Sequence, residues 1–142
     1  MPAWNRRTSR RSRDNKIKPG ELILSALRLI DRPAGAYELQ AHLSDVHHFA
    51  PTTIYRALER LIDDGLVHKI ESLNAFIACR HSGQHERSAF AICDRCGSVV
   101  EICDQEIKNV VDACLRQSGF DVADATIELH GSCSKCNSRG SA

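Results

Sequence analysis

Two Cys-x-x-Cys pairs constrain the fold of this chain more than any other feature. Cys93 and Cys96 form the first pair, Cys133 and Cys136 form the second, and residues 97–132 separate them. Each pair can chelate a metal from one tight turn, and two pairs complete the closed tetrahedral thiolate site that zinc favours in structural roles. Two unrelated redox pairs are the alternative. The spacing favours a zinc site that brings the pairs together, with a helix and a strand looped between them.

The composition narrows the class of protein. The chain has 142 residues, of which 42% are hydrophobic and 26% are charged, as in an ordinary soluble globular protein. No apolar run approaches the roughly 20 residues of a membrane span, and the first residues lack a signal-peptide pattern. We therefore expect a cytoplasmic protein whose seven cysteines are metal ligands or redox groups and not disulfides. Cys103 and Cys114 fit apolar strand and helix positions and are expected to be buried thiols.

The net charge of +1 hides a basic segment at the start of the chain. Residues 1–18 carry seven Arg or Lys side chains against Asp14, so the rest of the chain is net acidic. We expect this arm to be disordered and attracted to polyanions. A solubilising tail is an equally good interpretation, so the arm alone does not identify nucleic acid as a partner.

Residues 19–80 are predicted to form a winged helix-turn-helix domain. Apolar residues recur at helical spacing over 19–30, 36–43 and 51–64. Two extended segments follow, at 67–71 and 75–79. The third helix is the clearest, because Pro51 suits its first turn and Gly65 stands just past its end. Three helices followed by a β-hairpin are the plan of a winged helix-turn-helix.

The third helix is predicted to contact DNA. Its first turns carry Thr52, Thr53, Tyr55 and Arg56, and the N-terminal part of this helix meets base edges in helix-turn-helix proteins. Arg56 could bind a guanine bidentately, and Tyr55 could meet a thymine methyl group or a phosphate. Tyr37, on the preceding helix, is a further candidate. Many helices expose such side chains without touching DNA, but the helix-helix-helix-hairpin order favours the DNA interpretation.

A polar stretch at 81–88, which contains Gly83, is predicted to be a hinge before a second unit at 89–142. In this unit, strands are predicted at 90–93, 99–103 and 126–129, and a helix at 105–117. A core of this size is marginal, and small domains commonly need a metal, a partner chain or both.

Four further residues form a looser candidate metal site. His68 and Cys79 lie on the predicted wing, His85 lies in the hinge and Glu101 lies on a strand of the second unit. Together they could give a closed four-coordinate zinc site that straddles the joint between the units. By spacing alone this set is weak, because a lone histidine is usually a surface or satisfied core residue. Five other histidines are expected to be exposed, or to contact the metal ligands without binding the metal: His42, His47, His48, His81 and His130.

Three segments, 51–58, 65–72 and 92–97 (PTTIYRAL, GLVHKIES and ICDRCG), resemble the Fur superfamily of metal-dependent repressors. The resemblance covers about residues 17–136 and is closest to the zinc uptake regulators. It implies an α+β fold, with an N-terminal winged helix-turn-helix domain followed by a small α/β dimerisation domain with a four-cysteine zinc site. It also implies a homodimer that binds double-stranded operator DNA when zinc is sufficient and represses zinc-uptake genes.

The same resemblance assigns two zinc ions to each chain. The family's structural site falls on the four paired cysteines, and its regulatory site falls on His68, Cys79, His85 and Glu101. A soft thiolate at Cys79 suits zinc sensing better than iron sensing, where harder ligands are usual. A sensor of another metal, or of peroxide or thiol redox state, in the same superfamily is the alternative.

The chain departs from the family pattern in two places. Ala89 and Phe90 stand where iron-sensing relatives carry ligands, so no further metal site is expected there. Residues 18–21 (KPGE) replace the Thr-Pro-x-Arg run of many relatives, and we hypothesise that the basic arm supplies phosphate contacts instead. The spacing of a zinc deaminase, His-x-Glu with Pro-Cys-x-x-Cys, is absent. We expect no catalytic residues, no small-molecule substrate and no membrane partner.

Overall fold

Helices come first along the chain, and a sheet-containing unit follows. The computed structural model describes residues 17–81, 87–123 and 125–138. In these ranges the elements are, in chain order, α1 (Pro19–Ile30), α2 (Ala36–Leu43), α3 (Pro51–Asp63), β1 (Val67–Ile70), β2 (Ala75–Ala78), β3 (Arg87–Cys93), β4 (Val99–Ile102), α4 (Gln105–Ser118), β5 (Ala125–Gly131) and α5 (Ser134–Asn137). The predicted α+β class is confirmed, and the strand limits differ from the predicted ones by one to three residues. Residues 1–16 of the arm and 82–86 of the hinge, with His85, lie outside the described residues.

Local signals explain where α3 begins and ends. Pro51 occupies its first turn, where the missing N–H costs nothing. Just beyond the helix, Gly65 adopts a φ of 70°, a left-handed conformation that favours glycine. One stripe of the helix is buried, and it consists of Ile54, Ala57, Leu58 and Leu61.

The helices α1, α2 and α3 pack around an apolar core that also takes in the β1–β2 hairpin. The side chains of this core with almost no exposure include Ile23, Leu27, Leu39, Ile54 and Leu58. Val67, Phe76 and Ala78 of the hairpin join the same core. A bridge between Ala34 and Phe76 ties the α1–α2 connection to the hairpin through backbone N···O distances of 2.9 and 2.8 Å.

The hairpin also has a second face, which the second unit covers. Successive residues of a strand point to opposite faces, and His68 pairs with Ile77 in the β1–β2 register. Both side chains lie on the face opposite the helical core. On this face, Ile70 and Ile77 pack against Phe90 and Ile92 of β3. The two halves of the chain are therefore in direct apolar contact.

The parallel pairing of β3 with β5 sets the topology of the second unit. The strand order is β4-β3-β5, with β3 antiparallel to β4 and parallel to β5. Parallel neighbours need a crossover connection, and here the chain between them contains β4 and α4. The register pairs Cys93 with Gly131, so the chain that leaves β5 passes beside the first cysteine pair.

One side of the second unit is left open to solvent. No residue of α4, whose whole length is described, is buried, and Val110 and Phe120 are exposed. The prediction that Cys103 and Cys114 are buried thiols is wrong for the single chain, since both are exposed. The reason is that Cys103 follows the last residue of β4 and Cys114 lies on the uncovered helix. Across the described ranges, no helix has the length and apolar character needed to cross a bilayer.

Candidate metal centres and nucleic-acid surface

The four paired cysteines meet in one cluster. Their sulfur atoms all lie within 4.8 Å of one another, and 3.8 Å separates Cys96 Sγ from Cys133 Sγ. A tetrahedral site with Zn–S bonds of about 2.3 Å places its sulfurs about 3.8 Å apart. Cys93 is buried at the end of β3, whereas Cys96 is exposed. The donor set and its spacing both fit zinc.

Hydrogen bonds already favour ionised sulfur at two of the four cysteines, Cys93 and Cys133. The backbone N–H of Cys133 donates to Cys93 Sγ at 3.3 Å, and this bond, followed by other backbone donors, lowers the pKa of Cys93 to about 6. The backbone of Cys136 lowers the pKa of Cys133 in the same way. The hydrogen bond between the Cys136 and Cys133 side chains raises the pKa of Cys136 to about 12. A divalent cation can replace the remaining protons, because thiolates are the metal-binding form of cysteine.

A second cluster lies between the hairpin and β4. The ligand atoms of His68, Cys79 and Glu101 lie within 4.8 Å of one another. Glu101 Oε1 is 3.2 Å from His68 Nε2 and 3.7 Å from Cys79 Sγ. His68 belongs to β1, Cys79 directly follows β2, and Glu101 lies on β4 opposite Phe90. These candidate ligands thus come from both halves of the chain. His85, the fourth residue named from the sequence, lies outside the described residues.

Two side chains of the second cluster are largely shielded from solvent, and Cys79 is half-buried. The side chains of His68 and Glu101 are 11% and 7% exposed. Burial raises the pKa of the Cys79 thiol, and the negative charge of Glu101 adds to the rise. Ser88 Oγ lies 3.3 Å from His68 Nδ1, so the imidazole is oriented through the nitrogen that does not face Glu101. An imidazole, a thiol and a carboxylate are suitable ligands for zinc.

Glu101 has further neighbours that the sequence interpretation missed. Cys103 Sγ is 3.7 Å from Glu101 Oε1, and His81 Nδ1 is 3.7 Å from Glu101 Oε2. The backbone N–H of Arg80 also donates to Oε2, at 3.2 Å. The Glu-x-Cys spacing was the available signal for Cys103, because alternate residues of an extended segment share a face.

Glu128 makes a polar contact between β5 and the turn of the hairpin. Its carboxylate accepts hydrogen bonds from the backbone N–H groups of Glu71, at 2.7 Å, and Ser72, at 3.3 Å. Hydrogen bonds from Ser72 and Glu71 lower the pKa of Glu128. His130 lies between this carboxylate and Asp94, with Nδ1 2.9 Å from Asp94 Oδ1, and Asp94 raises the pKa of His130. The hairpin is thus held on the second unit by polar as well as apolar contacts.

The DNA-contacting candidates lie on the accessible parts of α2 and α3. Thr52, Tyr55 and Arg56 are exposed, Thr53 is half-buried, and Tyr37 is exposed on α2. Lys18, Arg56 and Arg60 line one open depression between the start of α1 and α3, together with Glu21 and Asp64. Cationic side chains beside the exposed turns of α3 suit a phosphate backbone.

The fold and the clusters define a winged-helix protein with candidate metal centres, one of which lies where its two halves meet. The chain belongs to the ferric uptake regulator family, whose model matches residues 22–130. The resemblance to this family that the three sequence segments carry is confirmed.

Relatives within the family include zinc uptake regulators. The chain is 36% identical over 127 residues to the zinc uptake regulation protein of Escherichia coli (strain K12), covering 87% of this chain and 74% of that protein. The structure of holo XcZur is 40% identical, with a TM-score of 0.77 and coverage of 86% of each chain. A zinc uptake regulator complexed with zinc and DNA is 32% identical, with a TM-score of 0.81, covering 89% of this chain and 85% of that chain. These three matches confirm the resemblance to zinc uptake regulators.

Proposed function

We propose that this chain is a zinc-responsive transcriptional repressor, which binds operator DNA as a zinc-loaded homodimer and represses zinc-uptake genes. One observation carries the proposal: His68 and Cys79 from the wing lie with Glu101 from the second unit, their ligand atoms within 4.8 Å. A metal ion bound by this cluster would join the two halves of the chain. The relatives named for zinc uptake regulation, one of them solved with zinc and DNA, support zinc as that ligand and DNA as the partner.

The proposed regulatory site consists of His68, Cys79, His85 and Glu101. A bound zinc ion would supply a cross-link between the wing and the second unit. Ser88 orients the His68 ring before any metal arrives, so the site is partly organised in advance. Fixing the winged-helix domain on the dimer favours the DNA-competent state, and DNA must then tighten zinc binding by the same factor.

The proposed structural site consists of Cys93, Cys96, Cys133 and Cys136, which brings the total to two zinc ions per chain. The Cys93–Gly131 register supports this assignment, because Cys133 follows two residues after Gly131. Metal-binding energy at such a site is folding energy.

Residues 89–142 are proposed as the dimerisation domain, after the DNA-binding domain at 19–80 and the hinge at 81–88. The open apolar face that includes Val110 and Phe120 supports this proposal, since exposed apolar patches mark protein–protein contacts. A second copy of the chain would cover α4 and complete a core that is small for an independent unit.

The start of α3 is proposed as the DNA-reading surface, with Thr52, Thr53, Tyr55 and Arg56 on α3 and Tyr37 on α2. In a dimer, two such helices can enter successive major grooves about 34 Å apart. The basic arm at 1–18 would add phosphate contacts. In this role the chain acts in the cytoplasm and has neither catalytic residues nor a small-molecule substrate.

Operator binding against buffered free zinc tests the proposal. We expect fluorescence anisotropy of a labelled operator duplex to show zinc-dependent binding by the wild type and by the control Leu29→Ala, whose side chain is exposed on α1. Cys79→Ser and His85→Ala should remain folded dimers but lose the response. Normal zinc-dependent binding by both variants would contradict the assignment of the regulatory site.

The same titration separates the alternative signals. Repeating it with iron and manganese, and again after mild peroxide treatment, distinguishes a zinc sensor from a sensor of another metal or of redox state. A response to iron or to peroxide at concentrations where zinc has no effect would refute zinc as the signal.

A further inference from the structure

We infer that His81, Glu101 and Cys103 form an outer metal site, which receives zinc from solvent and passes it to the regulatory site. This inference rests on the proposed function. The ligand atoms of the three residues lie within 4.8 Å of one another. An imidazole, a carboxylate and a thiol are suitable zinc ligands, and two of the three are absent from the regulatory set.

The outer set differs from the inner one in its access to solvent. The side chain of His81 is 57% exposed and Cys103 is exposed, whereas the side chain of His68 is 11% exposed. Three protein ligands leave a fourth zinc position for water, as in open sites. An ion in the outer set can therefore exchange with solvent, while an ion in the inner set is bound by the less exposed imidazole of His68.

Glu101 belongs to both sets. Its Oε1 is 3.7 Å from the sulfur of Cys79 and also 3.7 Å from the sulfur of Cys103. His68 Nε2 lies 3.2 Å from Oε1, and His81 Nδ1 lies 3.7 Å from Oε2. The carboxylate can keep its bond to an ion while the other ligands are exchanged one by one. The exchange conserves charge, because Cys79 gives up its thiol proton as Cys103 regains one.

A purely structural role is the competing explanation. In that case His81 and Cys103 only hold Glu101 in place, and a hydroxyl at position 103 would serve as well as a thiol. Cys103→Ser would then leave metal uptake unchanged. The two explanations differ in whether the sulfur of Cys103 binds metal.

Cobalt(II) added to protein whose four-cysteine site is already filled with zinc tests this point, because cobalt–thiolate absorption reports only sulfur ligands. Cys79→Ser removes the thiolate of the inner site. We expect this variant to retain a cobalt–thiolate band, and the double variant Cys79→Ser/Cys103→Ser to lose it. Cys79→Ser/Cys114→Ser, which removes a thiol on α4 instead, is the matched control and should keep the band. Because α4 lies in the proposed dimer face, sedimentation is used to verify that this variant is a dimer.

Absence of the band in Cys79→Ser, or its persistence without Cys103, would overturn the outer site. Stopped-flow mixing with one equivalent of cobalt(II) per chain then tests transfer: Cys103→Ser should load the inner site several-fold more slowly than the wild type and reach the same final absorbance. Equal loading rates would overturn the transfer step. Failure of the proposed function would appear as zinc-independent operator binding by the wild type. Failure of the outer site would appear in the cobalt–thiolate band, so the two failures can be distinguished.

Discussion

Phe90 lies where the two halves of the chain meet, and truncating it measures what holds them together. Its side chain is 0% exposed, and it packs with Ile70 and Ile77 of the hairpin. Phe→Ala at a fully buried site costs about 3–5 kcal/mol, from lost transfer free energy and from the cavity left behind. Because the hairpin can move toward β3 when the ring is gone, we expect the lower end, about 3 kcal/mol. Leu29→Ala, at an exposed position, should cost less than about 0.5 kcal/mol.

The same truncation should weaken zinc binding at the proposed regulatory site. Phe90 pairs with Glu101 in the β3–β4 register, and the centroid of its ring is 5.3 Å from that of the His68 imidazole. Once the contact loosens, the ligands are assembled in only a fraction of the molecules, and the apparent affinity falls by that fraction.

Urea unfolding followed by far-UV circular dichroism, paired with a competitive zinc titration, measures both effects. With the four-cysteine site filled, Phe90→Ala should lower the unfolding midpoint and raise the apparent zinc Kd, whereas Leu29→Ala should change neither. If Phe90→Ala costs no more than Leu29→Ala, or if its zinc affinity equals that of the wild type, β3 does not hold the hairpin in solution and the reasoning is refuted.

Four further substitutions test other contacts. Cys96→Ser should abolish the folded second unit and the dimer, seen by circular dichroism and sedimentation; a folded dimer would contradict a structural metal role. Arg56→Ala should weaken operator binding by about 1–3 kcal/mol in an anisotropy titration without changing zinc affinity. Asp104→Ala removes the side-chain acceptor of the Glu106 N–H and should lower the free energy of unfolding by about 1 kcal/mol in urea. The lowered pKa of Glu128 contributes stability above its unfolded pKa, so the advantage of the wild type over Glu128→Gln should disappear as the pH falls through the folded pKa. A difference in urea midpoint that stays constant throughout an acid titration would contradict this expectation.

The helices and the cysteine cluster could be predicted because their signals are local or chemically exclusive. Pro51 and Gly65 bracket α3 within a short stretch of chain, and thiols in two close pairs have few uses other than metal binding. Predicting that His68, Cys79 and Glu101 meet required the family resemblance as well. These residues are single and far apart in the chain, so their spacing does not indicate a shared site.

Contacts that depend on how distant elements meet were not predictable in this way. Glu128 reaches the amides of Glu71 and Ser72 across 57 and 56 residues of chain, and no pattern near it marks that role. The exposure of Cys103 and Cys114 was misjudged because apolar neighbours show that a segment packs, but not which side of it another element covers.

The parallel partnership of β3 with β5 also sets the order in which the protein can be built. The winged-helix unit is complete by Cys79, and N-terminal units generally fold first during synthesis. The cluster is incomplete while only Cys93 and Cys96 have been synthesised. It can form only after β5 and the second cysteine pair have been synthesised, because β5 pairs with β3 in a register that joins Cys93 to Gly131. In the proposed structural role, zinc binding at this cluster therefore belongs to the last folding step of the newly made chain.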